Sequence, residues 1–200
     1  MKSIFVETKQ ILSLEEKYVD LIEISFILDV DNTILDSINI KCYSDKVNLD
    51  SVCGINGNYM SQTEGEIYQW EAVEKITQCL DKYLDKSNPE DKFHFIGFNS
   101  ELYTMIDMNK FFIKYGNYDF DTYFWKPSLD LSVISRFMLS GVKDLPLSMN
   151  LMDVMRYFGF KIEPEYMNDT YYIVNLIRSL YYILEKFKSS VVYFQKAQIN

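Results

Sequence analysis

Hydrophobic and polar positions first follow a period of two. Across residues 21–31, Ile22, Ile24, Phe26, Leu28 and Val30 fall on one side, as in a strand with a buried face. Asp31-Asn32-Thr33 reads as a turn. Residues 34–43 return with Ile34, Ile38, Ile40 and Cys42, which predicts a hairpin. A short apolar run at 4–8 precedes it as a first strand. The period then lengthens: Val73, Ile76, Leu80 and Leu84 within 66–86 predict an amphipathic helix. Residues 93–98 form another strand, closed by Gly97-Phe98-Asn99. A helix follows over 101–115 with Gly116 as its C-cap, and a short helix over 130–139. Asn150 caps a helix running to Phe158 with Gly159 beyond it, and Asp169 caps a long last helix. That helix carries Ile173, Leu176, Ile177, Leu180, Ile183, Leu184 and Phe187 as its apolar stripe. The order β-β-β-α-β-α, then helices, predicts an α/β domain with a mixed sheet and helices on its faces.

No repeat or Pro/Gly-rich linker divides the 200 residues, so residues 1–200 read as one domain. At 48% hydrophobic residues the chain can offset the entropy of ordering a core, which excludes intrinsic disorder. No run of eighteen apolar residues predicts a membrane span, and the N-terminal ten residues lack a signal-peptide pattern. A cytoplasmic protein is expected. Cys42, Cys53 and Cys79 suggest neither a disulfide framework nor a zinc site. The net charge of −9 argues against tight non-specific nucleic-acid binding and suits a partner with a basic surface.

Several local motifs, in order along nearly the whole chain, resemble those of the DnaQ-like 3′–5′ exonuclease superfamily. Ile4-Phe5-Val6-Glu7-Thr8-Lys9 stands where that family ends its first strand in Asp-x-Glu, and Asp20-Leu21-Ile22-Glu23-Ile24 resembles the opening of its second strand. Cys53-Gly54-Ile55-Asn56 resembles its His-Gly-Ile-Thr turn. Gly97-Phe98-Asn99-Ser100-Glu101-Leu102-Tyr103 resembles its Gly-x-Asn-x-x-Phe-Asp. Pro127 to Leu131 resembles the segment opening its next helix, and Asn150 to Gly159 the leucine-plus-glycine helix that precedes its last motif. The resemblance implies a ribonuclease H-like fold, a mixed five-stranded sheet flanked by helices.

It also implies two-metal hydrolysis of a phosphodiester, in which four carboxylates hold a pair of Mg²⁺ or Mn²⁺ ions and a histidine or tyrosine positions the water. Carried over position by position, those groups are largely replaced. Glu7 stands for the first aspartate, Lys9 for the second acid and Tyr103 for the third; the final His-x-x-x-x-Asp falls on Met167 through Tyr172. A tyrosine variant fails as well, because Tyr166 and Asp169 are one residue too close. Glu7, Asp107 and Asp169 could supply a displaced site, against a plainer reading of Asp107 as a solvated helix residue and of Asp169 as a cap. Lys9 could pair with Glu7 and take the place of a metal, or form an ordinary ion pair with it.

The remaining chemistry is thin. His94 is the sole histidine, which rules out a histidine-based triad or zinc cluster, and it reads as a packed or edge strand residue. No cysteine has a histidine partner for nucleophilic work. Gly54-x-x-Gly57 is a turn, not a phosphate loop. Sixteen tyrosines and fourteen phenylalanines predict exposed rings in the 115–125 stretch and at Tyr171-Tyr172 and Tyr181-Tyr182. Asn99, Tyr123, Trp125 and Lys126 are the candidate binding residues, for a protein interface or for stacked bases. The expected function is a pseudo-exonuclease: a scaffold without a cofactor that binds a protein partner first and single-stranded DNA or RNA second. By analogy with the fold, its settings would be replication, repair or phage–host conflict. The alternatives are an active, divergent Mg²⁺- or Mn²⁺-dependent exonuclease and a homodimeric structural subunit.

Overall fold

The computed structural model describes residues 1–11, 20–43, 66–116, 119–141 and 148–198. The turn read at 53–57, Cys53 with it, and Asn117-Tyr118 lie outside the described residues. Five strands, β1 (Lys2–Ile11), β2 (Asp20–Val30), β3 (Thr33–Lys41), β4 (Phe93–Gly97) and β5 (Phe124–Asp130), form one sheet in the order β3-β2-β1-β4-β5. β3, β2 and β1 pair antiparallel, while β1, β4 and β5 are parallel. β1 is therefore the seam between the two halves. Asp31 and Asn32 take φ of 49° and 70° in the β2–β3 turn, the left-handed pair that a twisted two-residue hairpin requires.

Helices cover both faces. α1 (Gln69–Asp81) and α2 (Thr104–Gly116) lie on one, while α3 (Leu131–Leu139), α4 (Leu151–Tyr157) and α5 (Thr170–Gln198) lie on the other. Ile4 and Val6 point into the first core and Phe5 into the second, so β1 reads as an unbroken apolar run, as expected of a strand buried on both sides. β2 alternates as predicted, yet its second face is buried too: Glu23, Ser25, Ile27 and Asp29 are all covered, because α5 lies across them. Three polar side chains therefore sit under a helix, and each requires a partner there.

Three local readings are corrected. β5 was not visible in the pattern; it is an edge strand broken by Pro127, with uneven burial and a register shift opposite β4. α2 begins at Thr104 rather than at 101, because Asn99 is left-handed (φ 57°) and the amides of Asn99 and Glu101 turn onto Asp130. Gly116 ends α2 without a positive φ; the left-handed glycines among the described residues are Gly141 and Gly159. The aromatic excess is partly core after all. Phe120, Tyr123 and Phe124 are at most 1% exposed, with Phe120 and Phe124 centroids 4.4 Å apart. Truncating one such ring costs about 3–5 kcal/mol.

Candidate active site

In a sheet with a parallel half, groups at the carboxyl ends of the strands collect beside the point where the strand order reverses. That point here is the end of β1, and it carries Glu7 and Lys9. Asn99 follows β4, Asp130 ends β5, and the first turn of α5 closes over the same edge.

Lys9 does not pair with Glu7. Its Nζ donates to Glu23 Oε2 at 2.8 Å and to the carbonyl of Asn168. The reason is register: Lys9 lies directly opposite Glu23, about 5 Å away across the ladder, whereas Glu7 is two residues along the same strand, at about 7 Å. The other oxygen of Glu23 accepts from Thr170 Oγ1 at 2.8 Å. Thr170 Oγ1 lies 2.5 Å from Ser25 Oγ, which donates to Asn39 Oδ1 at 3.0 Å. One ammonium, one carboxylate and two hydroxyls thus join β1, β2, β3 and the start of α5. Sequence reasoning placed Glu23 within a motif but missed its role; a cation and an acid on the two arms of an antiparallel pair were the available signal.

Glu7 faces Ser25 and is buried. Burial pushes its carboxyl up to about 8, against the lowering effect of the Thr8 amide and of Lys9. Asp107 is buried as well, not solvated as expected; burial raises its pKa and Lys110, 4.0 Å away, opposes that. Asp169 caps α5, its Oδ1 accepting from the amides of Tyr171 (2.8 Å) and Tyr172 (3.1 Å). Glu7, Asp107 and Asp169 do not converge: among the described residues, no three His, Cys, Asp or Glu side chains come together as a group able to hold a metal.

The other positions that the resemblance assigns to the site are packed or lie in solvent. Tyr103 is half exposed on the turn before α2. Met167 packs into the core beside α5, and Tyr172 accepts a hydrogen bond from the Glu163 amide at 3.2 Å. Next to the end of β4, Asp130 accepts from the amides of Asn99 (3.0 Å), Glu101 (3.4 Å) and Ser132 (2.9 Å), fixing the loop that would carry the third ligand. Asn99 does not join the other predicted binding residues. Tyr123 is buried, and Trp125 and Lys126 lie at the start of β5, about 17 Å and about 13 Å of strand from Asp130. Lys126 is paired with Asp121 there, and Trp125 stacks on half-buried His94. Cys42 and Cys79 are buried thiols pushed up to about 12, chiefly by burial, which leaves them unreactive.

No protein-family model matches the chain, and no curated protein does. Among solved structures, the chain is similar to E. coli exonuclease I in complex with a dT13 oligonucleotide (TM-score 0.68, 12% identity, covering 96% of this chain and 43% of that one). It is also similar to the zinc-bound form of the E. coli exonuclease I–ssDNA complex (TM-score 0.66, 11% identity, 96% of this chain and 42% of that one). An exonuclease I–SSB-Ct complex aligns at a TM-score of 0.57 and 13% identity, over 93% of this chain and 43% of that one. The chain therefore spans less than half the length of these structures, and it shares their ribonuclease H-like fold.

Proposed function

We propose that the chain is a catalytically degenerate member of the DnaQ-like 3′–5′ exonuclease superfamily, a scaffold that binds and does not hydrolyse. The observation that carries this reading is the Lys9 ammonium bonded to Glu23 and to the Asn168 carbonyl, at the strand end where the superfamily resemblance calls for an acid. A pair of divalent cations needs several carboxylates as hard oxygen donors. The side chains present do not fit such a pair: a cation holds the second position, Tyr103, Met167 and Tyr172 hold others, and Asp169 is engaged as a cap. The Lys9 contacts tie β1 to β2 and the start of α5, a link that needs no metal ion.

The partner we assign first is a protein, with single-stranded DNA or RNA second. Exonuclease I has been solved with a dT13 oligonucleotide and with SSB-Ct, so the fold accommodates both classes in that protein. In this chain a charge of −9 weakens phosphate-driven binding. Among the described residues no helix is long and apolar enough to cross a membrane.

The test is digestion of a 5′-labelled single-stranded oligonucleotide with excess Mg²⁺ or Mn²⁺, with Glu7→Ala in parallel. No 3′-shortening is the expected result at any protein concentration. A ladder that disappears in Glu7→Ala would overturn the reading in favour of a working, divergent enzyme.

A further inference from the structure

The sheet ends at β3, and between that edge and α1 runs a groove of about 440 Å³, lined by residues 36–40 and by Lys75, Gln78, Cys79 and Lys82. Antiparallel pairing leaves alternate residues of an edge strand with main-chain groups pointing away from the sheet. At the far end this edge already takes a partner. Lys41 O accepts from the amides of Glu66 (3.0 Å) and Ile67 (3.3 Å), Tyr43 N donates to Ile67 O at 2.7 Å, and Cys42 and Ile67 form a parallel bridge. At the near end Leu35 O accepts from Tyr83 Oη at 3.2 Å, and Ser37 N turns onto Asp36 Oδ1 at 2.9 Å. The alternation set by these bonds directs Asn39 N–H and C=O, together with Ser37 C=O, outward between them.

The charge on the groove runs opposite to that of the molecule. Its one lining carboxylate, Asp36, already accepts from Cys79 Sγ (3.3 Å) and Tyr83 Oη (3.3 Å) and lies 3.8 Å from Lys82 Nζ. Lys75 makes no ion pair among the described residues, and Lys82 is 62% exposed. On a chain of net charge −9 this places two cations beside a strand edge that, between Ser37 and Lys41, has no strand partner among the described residues.

We propose that the β3–α1 groove binds an extended acidic peptide segment of a partner protein, added to β3 as a sixth strand with its carboxylates against Lys75 and Lys82. Main-chain pairing at Asn39 supplies affinity, and the lysines select acidic sequences. The side of the added strand that faces α1 meets Ile38 and Ile40 as well as the two lysines, so acidic and apolar residues are expected on that one face, two residues apart. This goes beyond the degenerate-exonuclease reading and fails separately from it, since nuclease activity would leave the groove untouched.

The experiment is panning of a displayed library of random twelve-residue peptides on the full chain, followed by fluorescence anisotropy with the most enriched peptide. The expected outcome is enrichment of sequences that carry apolar residues and Asp or Glu two residues apart, on one strand face. Their affinity should fall about tenfold in Lys75→Glu/Lys82→Glu, which reverses two exposed charges. Binding should also slow amide exchange at Asn39. Absence of enrichment, basic or non-periodic winners, or unchanged affinity in the double variant would each overturn the proposal. So would a concentration-dependent dimer of the chain abolished by Asn39→Pro, which would give the edge to a second copy.

Discussion

Lys9 Nζ stands 2.8 Å from Glu23 Oε2 on directly paired residues of β1 and β2, with the two side chains 15% and 7% exposed. A pair this enclosed is costly to break from one side, because the remaining charge keeps its desolvation penalty. Lys9→Met keeps the aliphatic stem and removes the ammonium, leaving Glu23 with Thr170 alone. The expected loss is about 3 kcal/mol by urea unfolding. Adding Glu23→Gln should recover most of it, since a neutral amide still accepts from Thr170 Oγ1. Equal instability in the single and double variants would show that Lys9 acts through packing and not through its charge.

Glu7 should make stability fall as pH rises. Its carboxyl is held at about 8 by burial, against an ordinary value of 4.5. Between those two values the folded chain retains a proton that the unfolded chain has lost, so the contribution of Glu7 to stability is greatest below pH 4.5 and declines until about pH 8. Glu7→Gln, which mimics the protonated form, should be near neutral at pH 4.5 and more stable than the parent at pH 9 by up to about 5 kcal/mol. Urea midpoints across that range measure it, and parallel pH profiles for the two proteins would refute the assignment to Glu7.

The β2–β3 hairpin and most helix caps were legible in the sequence because these are local. Alternation marked β2 and β3, Asn150 accepts from Asp153 N at 2.8 Å as an N-cap should, and Gly159 is left-handed at the end of α4. β5 was hidden because an edge strand with a proline and mixed burial carries no clean period. The site was half legible. That positions 9, 103 and 172, which the resemblance assigns to acids, carry none is visible in the residue types, whereas what these side chains do depends on register. A one-residue difference in pairing would have put Lys9 on the far side of the ladder from Glu23. Tyr123 misled because an amphipathic ring beside Gly and Asp residues looks like surface, and it was the tertiary packing of Phe112, Phe120 and Phe124 around it that buried it.

Gly97 fits because it has no side chain. A Cβ there would lie 2.7 Å from Ser100 Cβ, and Ser100 is fully buried with its hydroxyl 3.0 Å from Ser128 Oγ, so neither can swing aside. Gly97→Ala should cost about 2 kcal/mol as overpacking, measured by thermal or urea unfolding. Gly97→Ala/Ser100→Gly removes the clashing atom and should restore part of that. A double variant no better than Gly97→Ala would place the strain in the backbone instead.

Arg178 and Tyr182 hold α5 on the sheet through a carboxylate with no solvent exposure. Arg178 Nε donates to Asp29 Oδ2 at 2.7 Å and Tyr182 Oη to Asp29 Oδ1 at 2.5 Å, while Arg178 Nη2 also reaches Asn32 O at 3.0 Å. Thr170, eight residues and about 12 Å up the same helix, is part of the Lys9–Glu23 network, so α5 is fastened to β2 at two points. Arg178→Ala strands the Asp29 charge and should cost about 3 kcal/mol, whereas Tyr182→Phe loses one hydrogen bond to a charged group and should cost about 1.5 kcal/mol. Combining Arg178→Ala with Asp29→Asn should cost less than Arg178→Ala alone, because the neutral amide no longer requires a cation. Combining Arg178→Ala with Thr170→Val, which keeps the side-chain shape and removes the hydroxyl, takes away both fastenings. If α5 docks as a unit, that pair should lose more than the sum of its parts in urea unfolding; simple additivity would mean that each fastening acts only on its own turn.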